Sequence, residues 1–390
     1  MPVYFAEVSS PLVRGLISGA HGSFINLGYA TANWIGYHSP FLTLSFALTP
    51  TRFGTFHVTS TFAWRFPNAI FVILALIFGA GTFFIPESPR WMVTKGREQE
   101  ALAILCHLHR DPSDPTDSFA NQEFRLMKTQ LAEDERSRIR LGRWQIITHK
   151  PYRRRLVISC LLMTGAMSTG VLVIANYAPL LYQSLGLSNS NSLILGASLT
   201  TVGMLSNALG ATISDRFGRR RLLLLGFAST LVMLSLATGL MAWYTRTGSK
   251  GSAAGAVTAL FLYGICYGAL VDVNVWTVVG ELFPSHLRSL GTGIGVSTLM
   301  LSALLWVAIA PVASATIGWK YYLVFICLTA AHMVHIWFQL PETSGLALEE
   351  MERLFGDLPP DQTRLASLRV HDAGTDSATD KTEAEKIEEA

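Results

Sequence analysis

The sequence predicts an all-α integral membrane protein, a bundle of eight membrane-crossing helices in two related halves. Three observations carry that expectation. Half of the 390 residues are hydrophobic and only 15% are charged, with a mean hydropathy of +0.36, whereas an ordinary soluble domain has about a quarter of its residues charged. The charges gather between apolar runs of about 20 residues, the length that crosses a bilayer. One phrase also occurs twice: Glu7 and Arg14 stand seven apart with a proline between them and small residues after, as do Glu281 and Arg288 in Val-Val-Gly-Glu-Leu-Phe-Pro-Ser-His-Leu-Arg-Ser-Leu-Gly-Thr-Gly. Pro86-Glu87 closes one apolar run and Pro341-Glu342 another. Such doubling on one side of a membrane reads as two parallel repeats.

Taken in order, the spans fall near 16–37, 66–85, 156–178, 192–213, 222–243, 255–280, 293–313 and 320–340. Placing 86–154 in the cytoplasm collects Arg90, Arg136, Arg138, Arg140, Arg143, Arg153, Arg154 and Arg155 there. Alternation then puts Arg216, Arg219, Arg220, Arg221 and Arg288 on the same side, leaves few basic residues outside, and makes both termini cytoplasmic. Residues 1–85 read as a remnant of an N-terminal half and 155–341 as a complete six-helix half. The linker 86–154 holds an amphipathic helix at 96–110 and a further helical stretch at 119–140, with Asp111-Pro112-Ser113-Asp114-Pro115 as a stop between them. In the tail, 342–390, the residues after about 357 read as disordered.

The spacing of the doubled phrase measures two further things. Arg14 to Pro86 spans 72 residues and Arg288 to Pro341 spans 53. The surplus lies at 39–64, which reads either as an insertion or as an ordinary outer loop. Four spans precede the second phrase and almost none the first, so equal halves would put four more spans before residue 1. The first residues do not read as a signal peptide. The four cysteines, Cys106, Cys160, Cys266 and Cys327, form no disulfide or zinc pattern. A net charge of +3 gives no support to nucleic-acid binding. With no nucleophile–base set and no phosphate-cradling loop, no enzyme, cofactor or metal is expected.

The strongest motif is Gly210-Ala-Thr-Ile-Ser-Asp215-Arg216-Phe-Gly218-Arg219-Arg220-Arg221. An acid at a helix C-terminus opposes its own helix dipole and needs an outside partner, while Gly218 permits a tight turn. The arrangement suits a structural latch. Asp272 is a charge deep in a span, costing about 3 kcal/mol to insert. It should face water, where it binds a proton or polar solute or pairs with a basic group or backbone. Asn26 and Asn33, seven apart, share a helix face. His21 reads as a packed or wetted histidine, Gly, Ser and Ala within 195–212 as close helix packing, and Gly291-Thr292-Gly293-Ile294-Gly295 as a packing motif.

The latch motif resembles the loop signature of the major facilitator superfamily. Pro86-Glu87-Ser88-Pro89-Arg90-Trp91 is similar to the mark of its sugar porter family, and Tyr4…Glu7…Arg14-Gly15, Glu281…Arg288 and Pro341-Glu342-Thr343-Ser344-Gly345 match further motifs. Trp64-Arg65-Phe66-Pro67 and Gly318-Trp319-Lys320-Tyr321-Tyr322 look like its fungal-type branch. The resemblance implies that 16–37 is the fifth helix of twelve and 320–340 the last. It implies cytoplasmic ion-pair networks of Glu87, Arg90, Asp215, Arg219, Glu281 and Arg288 that re-form during alternating access. It also implies a substrate site around Trp276, Tyr177, Asn33 and Asn176, with Thr298 and Ser302 where amides are usual. Ala166 and Met167 replace a glutamine pair, Leu172 an asparagine, Asn176 a tyrosine and Gly22 a glutamine. In proton-coupled members the carrier is an acid on the first helix, which is not among these eight.

The expected function is therefore transport of a sugar or polyol across the plasma membrane by alternating access, with proton coupling open. The competing expectation is a truncated remnant, or a sensor that binds sugar without moving it. Substrate contacts are expected from Trp276, Asn176, Tyr177, Asn33, Thr298, Ser302 and Asp272. The conformational switch is expected from Glu7, Arg14, Glu87, Arg90, Gly210, Asp215, Arg216, Gly218, Arg219, Arg220, Glu281, Arg288 and Glu342.

Overall fold

A computed structural model describes Tyr4, residues 14–38, 62–108, most of 117–132, 144–283, 285–342 and Phe355. Glu7, residues 39–61 and the tail after 342 apart from Phe355 lie outside the described residues, and with them the hinge, insertion and disorder expected there. Among the described residues every regular element is helical.

The first helices are α1 (Arg14–His38) and α2 (Phe62–Thr82). The second begins four residues before the expected span, so 62–64 belong to it. The linker supplies α3 (Pro89–Thr94) and α4 (Glu98–Leu108). Ser88 caps α3, its hydroxyl accepting from Trp91 N at 3.3 Å, and Pro89 fills the first position, where a missing N–H costs nothing. Helical residues at 118–132 lean on α4 through Leu105, Ala120 and Met127, with a Lys128–Glu98 ion pair at 2.7 Å. Burial, with Asp117 beside it, pushes the Cys106 thiol up, which makes it a poor nucleophile.

The single span expected at 156–178 is two helices, α6 (Lys150–Ser168) and α7 (Val171–Ser184), preceded by the short α5 (Gln145–Thr148). The break is Gly170, at φ +85°. A side chain there would be strained in the left-handed region, and its Cβ would fall 2.7 Å from the Phe325 ring. Helix α8 (Asn189–Phe217) follows, then α9 (Arg219–Thr247), turned by Gly218 at φ +85° and stopped by Gly248. The Gly248 N–H donates to Tyr244 O at 2.8 Å, a left-handed glycine cap. The run expected at 255–280 is α10 (Lys250–Cys266), a π-helical turn at Tyr267–Asp272 and α11 (Val273–Glu281). Last come α12 (Ser285–Ile317), a 3-10 turn at Gly318–Lys320 and α13 (Tyr321–Gln339).

Five stretches among the described residues are long and apolar enough to cross a membrane: Lys150–Ser184, Asn189–Ser214, Arg219–Thr247, Lys250–Glu281 and Leu287–Gln339. The last contains both α12 and α13, and α2 holds a shorter apolar helix, Ala69–Thr82. α1 lies along α8, α9 packs on α10 and α13, and α12 on α6. One buried cluster centres on Met163, Phe227, Val279 and Phe283, the other on Tyr182, Leu234, Tyr263 and Phe325.

Lipid chains are as apolar as leucine, so close packing rather than water exclusion must hold such helices together. Small residues supply it. A Cβ on Gly210 would overlap the Ala269 carbonyl, one on Gly226 would meet Val271 at 2.8 Å, and one on Gly268 would meet Ser206 at 2.9 Å. The small residues of 195–212 thus press α8 onto the π-turn, as their composition suggests. Within the packing motif of α12, Gly291 meets Phe283 and Gly295 meets Ser159, while Gly293 faces open space.

Candidate functional site

Most buried hydroxyls in these helices bond their own backbone, but one group of polar side chains from separate helices meets at the π-turn. Asp272 Oδ2 accepts from Asn207 Nδ2 at 2.6 Å and from Asn26 Nδ2 at 3.3 Å, and the Trp276 side chain hydrogen-bonds the same carboxyl group. Ser23 Oγ donates to Asn207 Oδ1 at 3.4 Å. One carboxylate thus joins α1, α8 and the helix of Trp276. Asn207 is fully buried, and Gly22 leaves it room, since a Cβ there would stand 2.9 Å from its Oδ1. The π-turn itself matters, because one added residue rotates the chain below it and such turns often mark functional sites.

Asn26 turns to Asp272 of the π-turn, whereas Asn33, seven residues on, turns to α8. Asn33 Nδ2 donates to Thr200 Oγ1 at 3.3 Å, and Trp34 Nε1 donates to Thr201 Oγ1 at 2.9 Å. Tyr177 OH donates to Val307 O at 3.3 Å, tying α7 to α12. Beside it, Asn176 Oδ1 is buried without a hydrogen-bond partner among the described residues. Thr298 and Ser302 are half-buried, and their hydroxyls bond their own helix, to Gly295 O at 2.7 Å and Thr298 O at 2.8 Å. The cluster therefore unites Asp272, Trp276 and Asn26 and adds Asn207, which sequence reasoning passed over. Asn207 lies in a run read for its small residues, and its partner stands 65 residues on, beyond any local pattern.

A second set forms at the rim where α9 begins. Arg219 pairs with Glu281. Glu342 Oε1 accepts from Arg219 N at 2.9 Å and Arg220 N at 3.4 Å, so an acid from beyond α13 satisfies the exposed amides and the positive end of α9. Gly218 leaves space for it, since a Cβ there would lie 3.0 Å from Glu342 Oε2. Arg220 Nη2 donates to Trp337 O at 2.6 Å, and Arg288 Nε to Phe283 O at 3.4 Å. Tyr4 OH donates to Pro86 O at 2.7 Å; Glu87 beside it is exposed and Arg90 half-buried. Glu7 and the side chains of Arg14, His21, Asp215 and Arg216 lie outside the described residues.

Arg155, read from the sequence as one of the cytoplasmic basic residues, is 1% exposed. Its guanidinium sits 4.6 Å from the centre of the Phe355 ring and 5.8 Å from that of Tyr152. The aromatic faces offset part of the cost of burying the charge.

Apolar helices of membrane length, a break and a π-turn within them, and a polar cluster where α1, α8 and the π-turn meet together mark a multi-pass helical membrane protein. The chain belongs to the sugar (and other) transporter family, whose profile matches residues 1–355. It is a family of transporters, not of enzymes. An MFS-type transporter of Aspergillus cristatus is 27% identical over 357 residues, covering 92% of this chain and 69% of the relative. A probable quinate permease of Neosartorya fischeri is 27% identical over 388 residues, covering 94% and 67%. A quinate permease of Emericella nidulans is 26% identical over 372 residues, covering 92% and 66%. The chain thus spans about two thirds of the length of the curated relatives it matches. Among solved structures, the proton:xylose symporter XylE bound to 6-bromo-6-deoxy-D-glucose superposes with a TM-score of 0.74 at 22% identity, covering 91% of this chain and 70% of that one. That likeness establishes the major facilitator fold.

Proposed function

We propose that the chain carries a neutral sugar or polyol across the bilayer by alternating access. In this reading residues 155–341 form a complete six-helix half and 1–85 contribute helices of the other. Residues 86–154 and 342–390 lie in the cytoplasm of a cell whose plasma membrane holds the protein. The observation that carries the proposal is the Asp272 carboxylate, held by amides of two other helices at 2.6 Å and 3.3 Å inside a transporter bundle.

Each residue then has a task. Asp272 accepts a solute hydroxyl, while Asn207 and Asn26 orient the carboxylate. Trp276 offers an aromatic face to the sugar ring, and Asn176, with its amide oxygen unmatched among the described residues, accepts a second hydroxyl. Thr298, Ser302, Tyr177 and Asn33 shape the remaining wall. A solute lacking a hydroxyl would leave buried polar groups unpaired, which rejects it strongly. At the rim, Arg219–Glu281 and the Glu342 cap are contacts that close one state and open in the other. In this reading Glu87, Arg90 and Arg288 belong to the same switch, with Glu7, Arg14, Asp215 and Arg216 as the remaining charged members. The Glu281 side chain is 36% exposed and that of Arg219 only 10%, so water reaches the acid when the pair opens, and a coupling of about 0.5–3 kcal/mol is small enough for solute binding to offset.

A second reading, a polyhydroxy acid as solute, is favoured by the relatives named as quinate permeases. Quinate carries a carboxylate. Set about 6 Å from Asp272 at an effective dielectric of about 20, it would be repelled by about 3 kcal/mol, roughly a hundredfold in affinity. The test is uptake of radiolabelled xylose, glucose, sorbitol and quinate in transporter-null cells, at an acidic and a neutral pH. A neutral solute should enter well above the empty-vector level, quinate at least about tenfold more slowly, and Asp272→Asn should narrow that gap. Quinate uptake with no neutral uptake would overturn the proposal. Faster entry at the acidic pH would make the solute a proton partner.

A further inference from the structure

Away from the polar cluster, a cavity of about 630 Å3 opens between the end of α8, the first turn of α9 and the end of α13. Arg220 and Arg221 form its basic wall, with Glu342 also lining it; Phe217, Leu224 and Trp337 form its apolar wall. The first amides of α9 are already taken by Glu342, so donors for any ligand must be the arginine side chains. Arg220 gives one nitrogen to Trp337 O at 2.6 Å, while its Nε is buried without an acceptor among the described residues. Arg221 is exposed. Two guanidiniums outweigh one carboxylate, so the cavity carries net positive charge.

What surrounds the cavity selects the kind of ligand. Phe217 is 62% exposed, Trp337 60% and Phe338 78%, on helices that end here at the edge of apolar stretches of membrane length. A tryptophan in that position, as Trp337, sits at the bilayer interface. Arginines recognise phosphate oxygens through paired N–H groups. We propose that this cavity binds the headgroup of an anionic phospholipid, its phosphate on Arg220 and Arg221 and an acyl chain along Trp337 and Phe217. The bound lipid then bridges the start of α9 to the end of α13, the same two elements that Glu342 joins.

The test uses the full chain purified in mild detergent, with native mass spectrometry after adding phosphatidylserine or phosphatidylcholine. Phosphatidylserine should persist as a one-to-one adduct about fivefold more than phosphatidylcholine, the effect of roughly one basic contact near a membrane surface. Arg221→Ala should reduce that retention about fivefold, and Leu224→Trp, which fills the cavity, should reduce it too. Arg153→Ala is the control: α6 and α9 start on the same side of the bundle, and Arg153 is exposed in the first turn of α6. It should leave retention unchanged. All variants are compared as single species by size exclusion, with Leu224→Phe in place of a tryptophan variant that does not fold. Equal retention of the two lipids, or an equal loss in Arg153→Ala and Arg221→Ala, would overturn the proposal. So would displacement of phosphatidylserine by equimolar glycerol 3-phosphate, which would make free phosphate the ligand.

Discussion

Asp272 shows how one side chain can dictate the identity of its neighbours. A carboxylate at mid-span costs about 3 kcal/mol to insert, and an acceptor left unmatched after burial costs about 1–3 kcal/mol. Asn207, fully buried and 2.6 Å away, is the principal donor, and Asn26, half-buried at 3.3 Å, the weaker one. Asn207→Ala should therefore lower the unfolding free energy in detergent by about 1–3 kcal/mol, and Asn26→Ala by visibly less. Equal losses, or a larger one for Asn26, would contradict this ranking. The sequence makes Asp272 conspicuous because a charge within an apolar run needs a reason, and the seven-residue spacing puts Asn26 and Asn33 on one face of their helix. It hides Asn207, since a lone amide among small residues says nothing of a carboxylate on another helix.

At the scale of elements, two departures from regular helix organise the bundle. The break at Gly170 and the π-turn at Tyr267–Asp272 both fall inside runs that read as uninterrupted spans. Periodicity cannot expose them, because the causes are distant: the Phe325 ring against Gly170, and the backbones of α8 and α9 against the π-turn. The turn at Gly218 is easier to read, since a glycine between two helical runs is a local signal. Gly210 should tolerate no side chain, because a Cβ would meet the Ala269 backbone, which cannot rotate away. Gly239, on α9, has nothing within 4 Å of a built Cβ. Gly210→Val should cut the folded yield severalfold and lower the melting temperature, while Gly239→Ala should leave both near wild type. Comparable losses at the two positions would mean that the contact between α8 and the π-turn is slack. The cost expected for such overpacking is about 1–3 kcal/mol or more.

For the molecule as a whole, the repeated acid–proline–arginine phrase and the apolar runs were enough to read an all-helical membrane bundle of the major facilitator type. The second copy of the phrase is visible in place, with Glu281 on Arg219 and Arg288 on Phe283 O. Which acid meets which base was not legible, because ion pairing between helices depends on how the chain returns. Glu342, an acid beyond α13, caps α9 from 123 residues away. If Arg219–Glu281 holds one conformational state, Arg219→Glu and Glu281→Arg should each impair uptake, and the double swap should recover part of it. The interaction energy should be about 0.5–3 kcal/mol, as for residues in contact. Additive losses would show that the pair does not act as a unit.

The central claim is that the space beside Asp272 and Trp276 is the path of a solute and opens to each side in turn. The direct measurement places a single cysteine there, Trp276→Cys, after Cys106, Cys160, Cys266 and Cys327 are changed to serine, and applies a membrane-impermeant thiol reagent from each face with and without a transported neutral solute. Labelling from both faces, slowed by the solute, is the predicted result. Labelling from one face only, at a rate that no transported solute alters, would contradict it.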